Sequence, residues 1–147
     1  EMASRFVQLR QLTHYKATKI PGSDSSYTKK EAFYSQLFQG YRYTQPIVVL
    51  TNDKTASSAE DFTLTLSSQP HVQLVGTPTS GMLSDMYAIE LNDEIMVTLS
   101  NQVYYGPDDQ ILEDNGVPID IEITNSKEDL VTQKDPVVEK ALERLKK

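Results

Sequence analysis

Apolar and polar positions change their spacing sharply near the middle of the chain. Ile47 to Leu50 form a short β-branched run of the kind that is covered on both faces in a parallel sheet, and the turn-forming residues Thr51 to Lys54 interrupt it. From Ala56 the apolar period becomes close to 3.6, with Ala59, Phe62 and Leu66 on one stripe. Thr55 suits the N-cap, which would place Ser57 in the first turn of the helix. Ser67-Ser68-Gln69-Pro70 stops that helix and Val72 to Gly76 supplies a second apolar strand, so the order predicts a right-handed crossover and parallel pairing. The following loop, Gly76-Thr77-Pro78-Thr79-Ser80-Gly81, falls at the carboxyl end of that strand, where ligands gather in open α/β sheets.

On either side the pattern is less uniform. Glu1 to Leu9 resembles the tail of a helix, Thr13 to Ile20 alternates like a strand, and Pro21 to Ser26 has loop composition. Glu31 to Phe38 suits a short helix or an extended segment equally. Met86 to Leu91 and Glu94 to Tyr105 alternate across Asn92-Asp93, a hairpin signal. Asp108 to Pro118 is a polar loop, Ile119 to Ile123 reads as a last strand, and Asp135-Pro136 opens a final helix with Val138, Ala141, Leu142 and Leu145 on its apolar stripe. The pattern divides residues 1–147, one domain, into a lead-in (1–45), an α/β core (46–123) and a segment ending in the C-terminal helix (124–147).

Composition narrows the chemistry. A chain of 147 residues with 38% hydrophobic content can bury a core of its own. Its net charge of −7 argues against nucleic acid or an anionic membrane as partner and leaves peptides and small molecules open. No apolar run reaches bilayer length and no signal peptide is visible, although the chain could start after one. Without cysteine, and with His14 and His71 as its two imidazoles, the sequence predicts no metal centre and no cofactor, and leaves hydroxyls, carboxylates and lysines to do the work.

Among hydroxyls Ser57 stands out. It lies beside free backbone N–H groups and the positive end of the helix dipole, with small Ala56 and Ala59 as neighbours. The plainer alternative is that Ser57 and Ser58 merely cap the helix. Glu60 and Asp61 read as carboxylates favoured by the dipole, and Phe33, Tyr34, Phe38, Tyr41 and Tyr43 as edge packing or as a side-chain pocket. Thr79 and Gly81, in the loop at the strand end, are the candidate substrate contacts.

The run Thr55-Ala56-Ser57-Ser58-Ala59-Glu60-Asp61-Phe62 resembles the nucleophile motif of the C-terminal-processing, or tail-specific, serine peptidases, a family that includes tricorn-type proteases and interphotoreceptor-retinoid-binding proteins. The strand Ile47 to Leu50, the loop Gly76 to Gly81 and Glu113-Asp114-Asn115-Gly116-Val117-Pro118-Ile119-Asp120 follow in the same order. The resemblance implies an α/β ClpP/crotonase-like core of β-β-α units, a partial domain here, with a β-hairpin and a C-terminal helix. It implies a serine endopeptidase with Ser57 as nucleophile, Ser58 lending its N–H to the oxyanion hole, and a peptide or protein substrate; oligomers occur in such families.

The lysine-dependent branch places its general base directly after the second glycine of the loop, where this chain has Met82. That departure points to the tricorn-like branch, with a histidine from an earlier segment as base and a supporting glutamate matched by Glu113. Neither His14 nor His71 stands at the matching position; both read as ordinary surface or half-buried histidines. The chain thus resembles the carboxyl-terminal part of a peptidase domain, expected to be inactive alone and to work outside the cytoplasm. A non-catalytic module binding a peptide or apolar ligand is the alternative.

Overall fold

A computed structural model describes residues 2–23 and 25–146. The central unit is the expected crossover. Strand β3 (Ile47–Thr51) pairs in parallel with β4 (Val72–Gly76), and helix α1 (Ser58–Ser67) connects them. On the other side of β4 lies β8 (Ile121–Glu122), also parallel, giving the order β3-β4-β8. Asp120 fastens β8 by accepting the Leu74 N–H through its carboxylate at 2.7 Å. Helix α3 (Pro136–Leu145) starts at Asp135, whose side chain accepts the Val138 N–H as the Asp-Pro pair predicts, and it packs on β3 and β4.

A second, antiparallel sheet has the order β2-β1-β7, formed by β1 (Leu12–Thr18), β2 (Glu31–Tyr34) and β7 (Gln102–Tyr105). Glu31 to Tyr34 is therefore extended; its backbone groups pair with β1 in the register His14 to Phe33. The long alternating run after Asp93 divides. β5 (Met86–Asn92) and β6 (Ile95–Ser100) form the hairpin, and the chain then leaves it at Asn101, whose carbonyl accepts the Lys19 N–H, to lay β7 on β1. At the amino end only Ala3–Phe6 turn, as a 3-10 helix rather than the tail of an α-helix; Glu1 lies outside the described residues. A short helix, α2 (Lys127–Val131), precedes α3 and is opened by the Ser126 and Asp129 side chains.

Between the two sheets Leu64, Leu66, Val72, Leu74, Leu83, Tyr104, Leu112 and Val117 form one buried cluster. Each such side chain contributes roughly 1.5–3 kcal/mol on removal from water. Gln69, almost fully enclosed at the end of α1, ties the lead-in to this core: its Oε1 accepts the N–H groups of Gln8 (2.8 Å) and Leu9 (2.9 Å), and its Nε2 donates to the Leu9 carbonyl. Buried amide groups paired this fully fix the path of the chain as well as a hydrophobic contact would.

Candidate functional site

The turn between β3 and α1 is sharper than the sequence predicts. Ser57, not Thr55, is the N-cap of α1, and its backbone adopts φ 55 and ψ −126. A positive φ at a non-glycine residue is strained by about 1–3 kcal/mol and persists only where its surroundings enforce it. Serines on such strand-to-helix turns present their hydroxyl outward. Ser57 is indeed exposed. Ser58, also exposed, opens the helix with an N–H that has no partner among the described residues.

Glu60 enforces the turn. Its side chain is 0% exposed and accepts four hydrogen bonds. Oε2 takes the N–H groups of Ser57 (2.9 Å) and Met82 (3.0 Å), while Oε1 takes the Thr79 hydroxyl (2.6 Å) and the Gly81 N–H (2.8 Å). The carboxylate expected to serve the helix dipole is thus also an internal hub. Accordingly the buried face of α1 is Glu60, Thr63, Leu64 and Leu66, with Ala59 turned to solvent. The Ser57-x-x-Glu60 spacing is that of a capping box, a signal by which the sequence could have revealed this role.

The loop 76–81 is drawn against the same turn. Thr79 and Gly81, the expected substrate contacts, are buried, and their polar groups are already engaged. The Thr79 hydroxyl donates to Glu60 and accepts the Val117 N–H at 2.7 Å, and the Gly81 carbonyl accepts the Asp114 N–H at 2.9 Å. Their contribution in this structure is to the scaffold. Gly81 has φ 72, and a Cβ there would meet the Asp114 and Asn115 backbone at 2.8 Å; one on Gly116 would lie 2.2 Å from the Thr79 carbonyl. The two loops interlock because both positions lack side chains.

Met82 is a direct neighbour of Ser57: its carbonyl also accepts the Ser57 N–H, at 3.0 Å, and its side chain is 66% exposed. Glu113 joins the same group of loops through the amides of Leu83 and Ser84. Burial, with the nearby Glu60 and Asp114 carboxylates, pushes its carboxyl up to about 7 against those two amides, and its Oε1 is buried without a hydrogen-bond partner among the described residues. Ser57, Ser58 and Met82 are thereby gathered at one turn, and Glu113 approaches the segment that follows Met82.

The two histidines are elsewhere. His14, expected at the surface or half-buried, is 6% exposed and stacks between Phe33 (4.9 Å) and Tyr104 (5.1 Å); burial, with Lys16 nearby, lowers it to about 4. His71 precedes β4 and accepts the Ile47 N–H through its carbonyl, at the amino ends of both strands, whereas Ser57 follows the carboxyl end of β3. Five residues of strand, about 16 Å, separate the two ends. Of the five aromatic residues of the lead-in, Tyr34 and Phe38 line a cavity together, with Ala3, Leu37 and Thr65, and the other three do not join them. Phe33 stacks on His14, Tyr34 and Phe38 lie under Arg10 and Arg5, Tyr43 packs edge-on against Phe6, and Tyr41 is 83% exposed.

A mixed α/β scaffold that presents an exposed serine on a strained strand-to-helix turn defines a recognisable class. The sequence pattern of peptidase family S41 matches residues 1–123. The chain belongs to that family. Among solved structures it is similar to a putative peptidase from Parabacteroides merdae ATCC 43184, at 27% identity over 98% of this chain and 45% of that one, with a TM-score of 0.87. It also shares its fold with the photosystem II D1 C-terminal processing protease (20% identity, 82% of this chain and 29% of that one, TM-score 0.57). With the tricorn protease the figures are 18% identity, 96% and 13% coverage and a TM-score of 0.53. The chain spans less than half the length of each of these. Comparison with curated proteins finds no match.

Proposed function

We propose that this chain carries the nucleophile-bearing part of a serine endopeptidase that cleaves peptide bonds through an acyl-enzyme on Ser57. The observation that carries the reading is the Ser57 turn: a non-glycine residue held at φ 55 and exposed. In the proposed reaction Ser57 Oγ attacks the substrate carbonyl, and the oxyanion receives the free N–H of Ser58 at the positive end of α1. Collapse expels the amine and leaves the ester, which water then hydrolyses. Glu113 supports the site as the carboxyl matched to the tricorn-type glutamate.

The general base is not found beside Ser57. Among the described residues no lysine or histidine hydrogen-bonds to it; Met82 holds the adjoining position, and a thioether takes up no proton at neutral pH. We therefore expect little or no turnover from these 147 residues by themselves, the base being supplied by residues outside them. The family's usual place outside the cytoplasm belongs to the same proposal.

Met82 also favours a second reading, a binding module that keeps the fold without the chemistry. A fluorophosphonate probe on the parent protein separates the two. Covalent labelling that is abolished in Ser57→Ala supports the peptidase, and a folded protein that takes no label refutes it.

A further inference from the structure

Charge is distributed very unevenly along this chain. Between Lys54 and Lys127 there is no lysine or arginine, whereas twelve aspartates and glutamates fall in that interval. The interval builds the nucleophile turn, the loop 76–85, the β5–β6 hairpin and the Glu113 loop.

Three of these carboxylates, Asp61, Asp85 and Glu113, come together near Tyr104. Asp61 lies one turn into α1, and Asp85 ends the short segment that leaves Met82. Glu113 reaches the amides of Leu83 and Ser84 in that same segment. Asp61 Oδ1 and Glu113 Oε1 are buried without a partner among the described residues. Tyr104, 0% exposed, likewise has an unpartnered hydroxyl, and it sits within electrostatic reach of Asp61, Asp85, Glu113 and Glu60. The ammonium of Lys16 faces this group from β1, over the Tyr104 ring and 3.8 Å from Asp85, a separation at which an ion pair is weak.

Beyond Asp85 the chain runs straight into β5. One face of the hairpin is apolar, with Tyr87 opposite Leu99 and Ile89 opposite Val97, and Tyr87 and Leu99 are exposed. Its turn carries Asp93 and Glu94. A segment laid from Ser57 past Met82 would meet negative charge first and apolar surface next.

We infer that the site takes a cationic peptide, with lysine or arginine side chains set against Asp61, Asp85 and Glu113 and apolar residues on the Tyr87–Leu99 face. The inference rests on the peptidase reading for what happens to that peptide, and on the charge and the hairpin for its recognition. Attraction of this kind raises the rate of encounter and is screened by salt.

The test uses this chain as Ser57→Ala and two fluorescent peptides of one apolar sequence, one with lysines and the other with glutamates at the same positions. Anisotropy should show the lysine peptide bound about tenfold more tightly at low salt, with the margin lost near about 1 M salt. Asp85→Asn, at an exposed position, should narrow the margin about twofold to fivefold. Equal affinities, tighter binding of the glutamate peptide, or no binding of either overturns the inference. Fluorophosphonate labelling of the parent protein keeps the two ideas apart. Labelling with charge-blind binding sinks the cationic substrate alone, and charge-selective binding without labelling sinks the peptidase reading while upholding the recognition.

Discussion

Replacing Glu60 by glutamine changes almost no volume and tests the hub directly. The carboxylate accepts four hydrogen bonds and donates none. Glutamine keeps one oxygen, which can still face the Thr79 hydroxyl and the Gly81 N–H, but it turns an NH2 group towards the N–H groups of Ser57 and Met82. The Ser57 N–H keeps the Met82 carbonyl as a second acceptor, whereas the Met82 N–H then meets only a donor. A donor left without an acceptor costs about 1–3 kcal/mol, so Glu60→Gln should destabilise the chain by about that amount. That is a sizeable part of a typical stability of about 5–15 kcal/mol. In urea, with a slope of roughly 2 kcal/mol per molar, the midpoint should fall by about 0.5–1.5 M. Hydrogen exchange at Ser57 and Met82 should accelerate more than at Leu74 in the core. A midpoint within about 0.3 M of the unaltered chain would refute the argument, because four charge-assisted bonds cannot then be holding the turn.

Ser57→Gly should raise stability by about 1 kcal/mol, since glycine tolerates this backbone, while abolishing probe labelling; lower stability in thermal unfolding would contradict the strain at Ser57. Glu113 has a folded carboxyl raised from 4.5 to about 7, so the folded state holds its proton more tightly. Its stabilising contribution is present below pH 4.5 and is lost as pH rises to about 7, and Glu113→Gln should flatten the fall in urea midpoint over that window; an unchanged profile would exclude Glu113 as its source. His14 behaves oppositely: lowered from 6.5 to about 4, it stabilises above pH 6.5 and loses this as pH falls to about 4, a loss that His14→Phe should remove. Met82→Lys puts an amine next to Ser57, and by the resemblance to the lysine-dependent branch should increase fluorophosphonate labelling by about tenfold or more; no gain at pH 9 would show that the side chain points elsewhere.

The crossover was legible because its signals are local. The β-branched run Ile47 to Leu50, the turn residues after it and the Asp135-Pro136 start of α3 each specify structure within a few positions. Glu31 to Tyr34 was not legible, because its extended form depends on pairing with β1, about twenty residues away in sequence. The same holds for the break at Asn101, where β7 exchanges its hairpin partner for β1. At the site, Ser57 and Ser58 could be singled out from the helix start, and residue 82 from the loop motif. Glu60 could not be weighed correctly by polarity alone. A carboxylate in the first turn normally faces water, and only the donors brought by residues 79–82 make its burial favourable. Burial of His14 likewise follows from Phe33 and Tyr104, on strands far apart in sequence.

The Glu60 hub also bears on timing. Its bonds bridge 19 to 22 residues, and the Thr79 hydroxyl that it holds in turn accepts the Val117 N–H, 38 residues further on. Long-range closures of this kind form late, after local helices and hairpins. A chain still being folded therefore has α1 before it has the constraint that holds Ser57 at positive φ. Ser57 reaches its strained, exposed setting only when residues 57–117 have all reached their places; on the proposed function, an unfinished chain would carry no poised serine that could act on its neighbours.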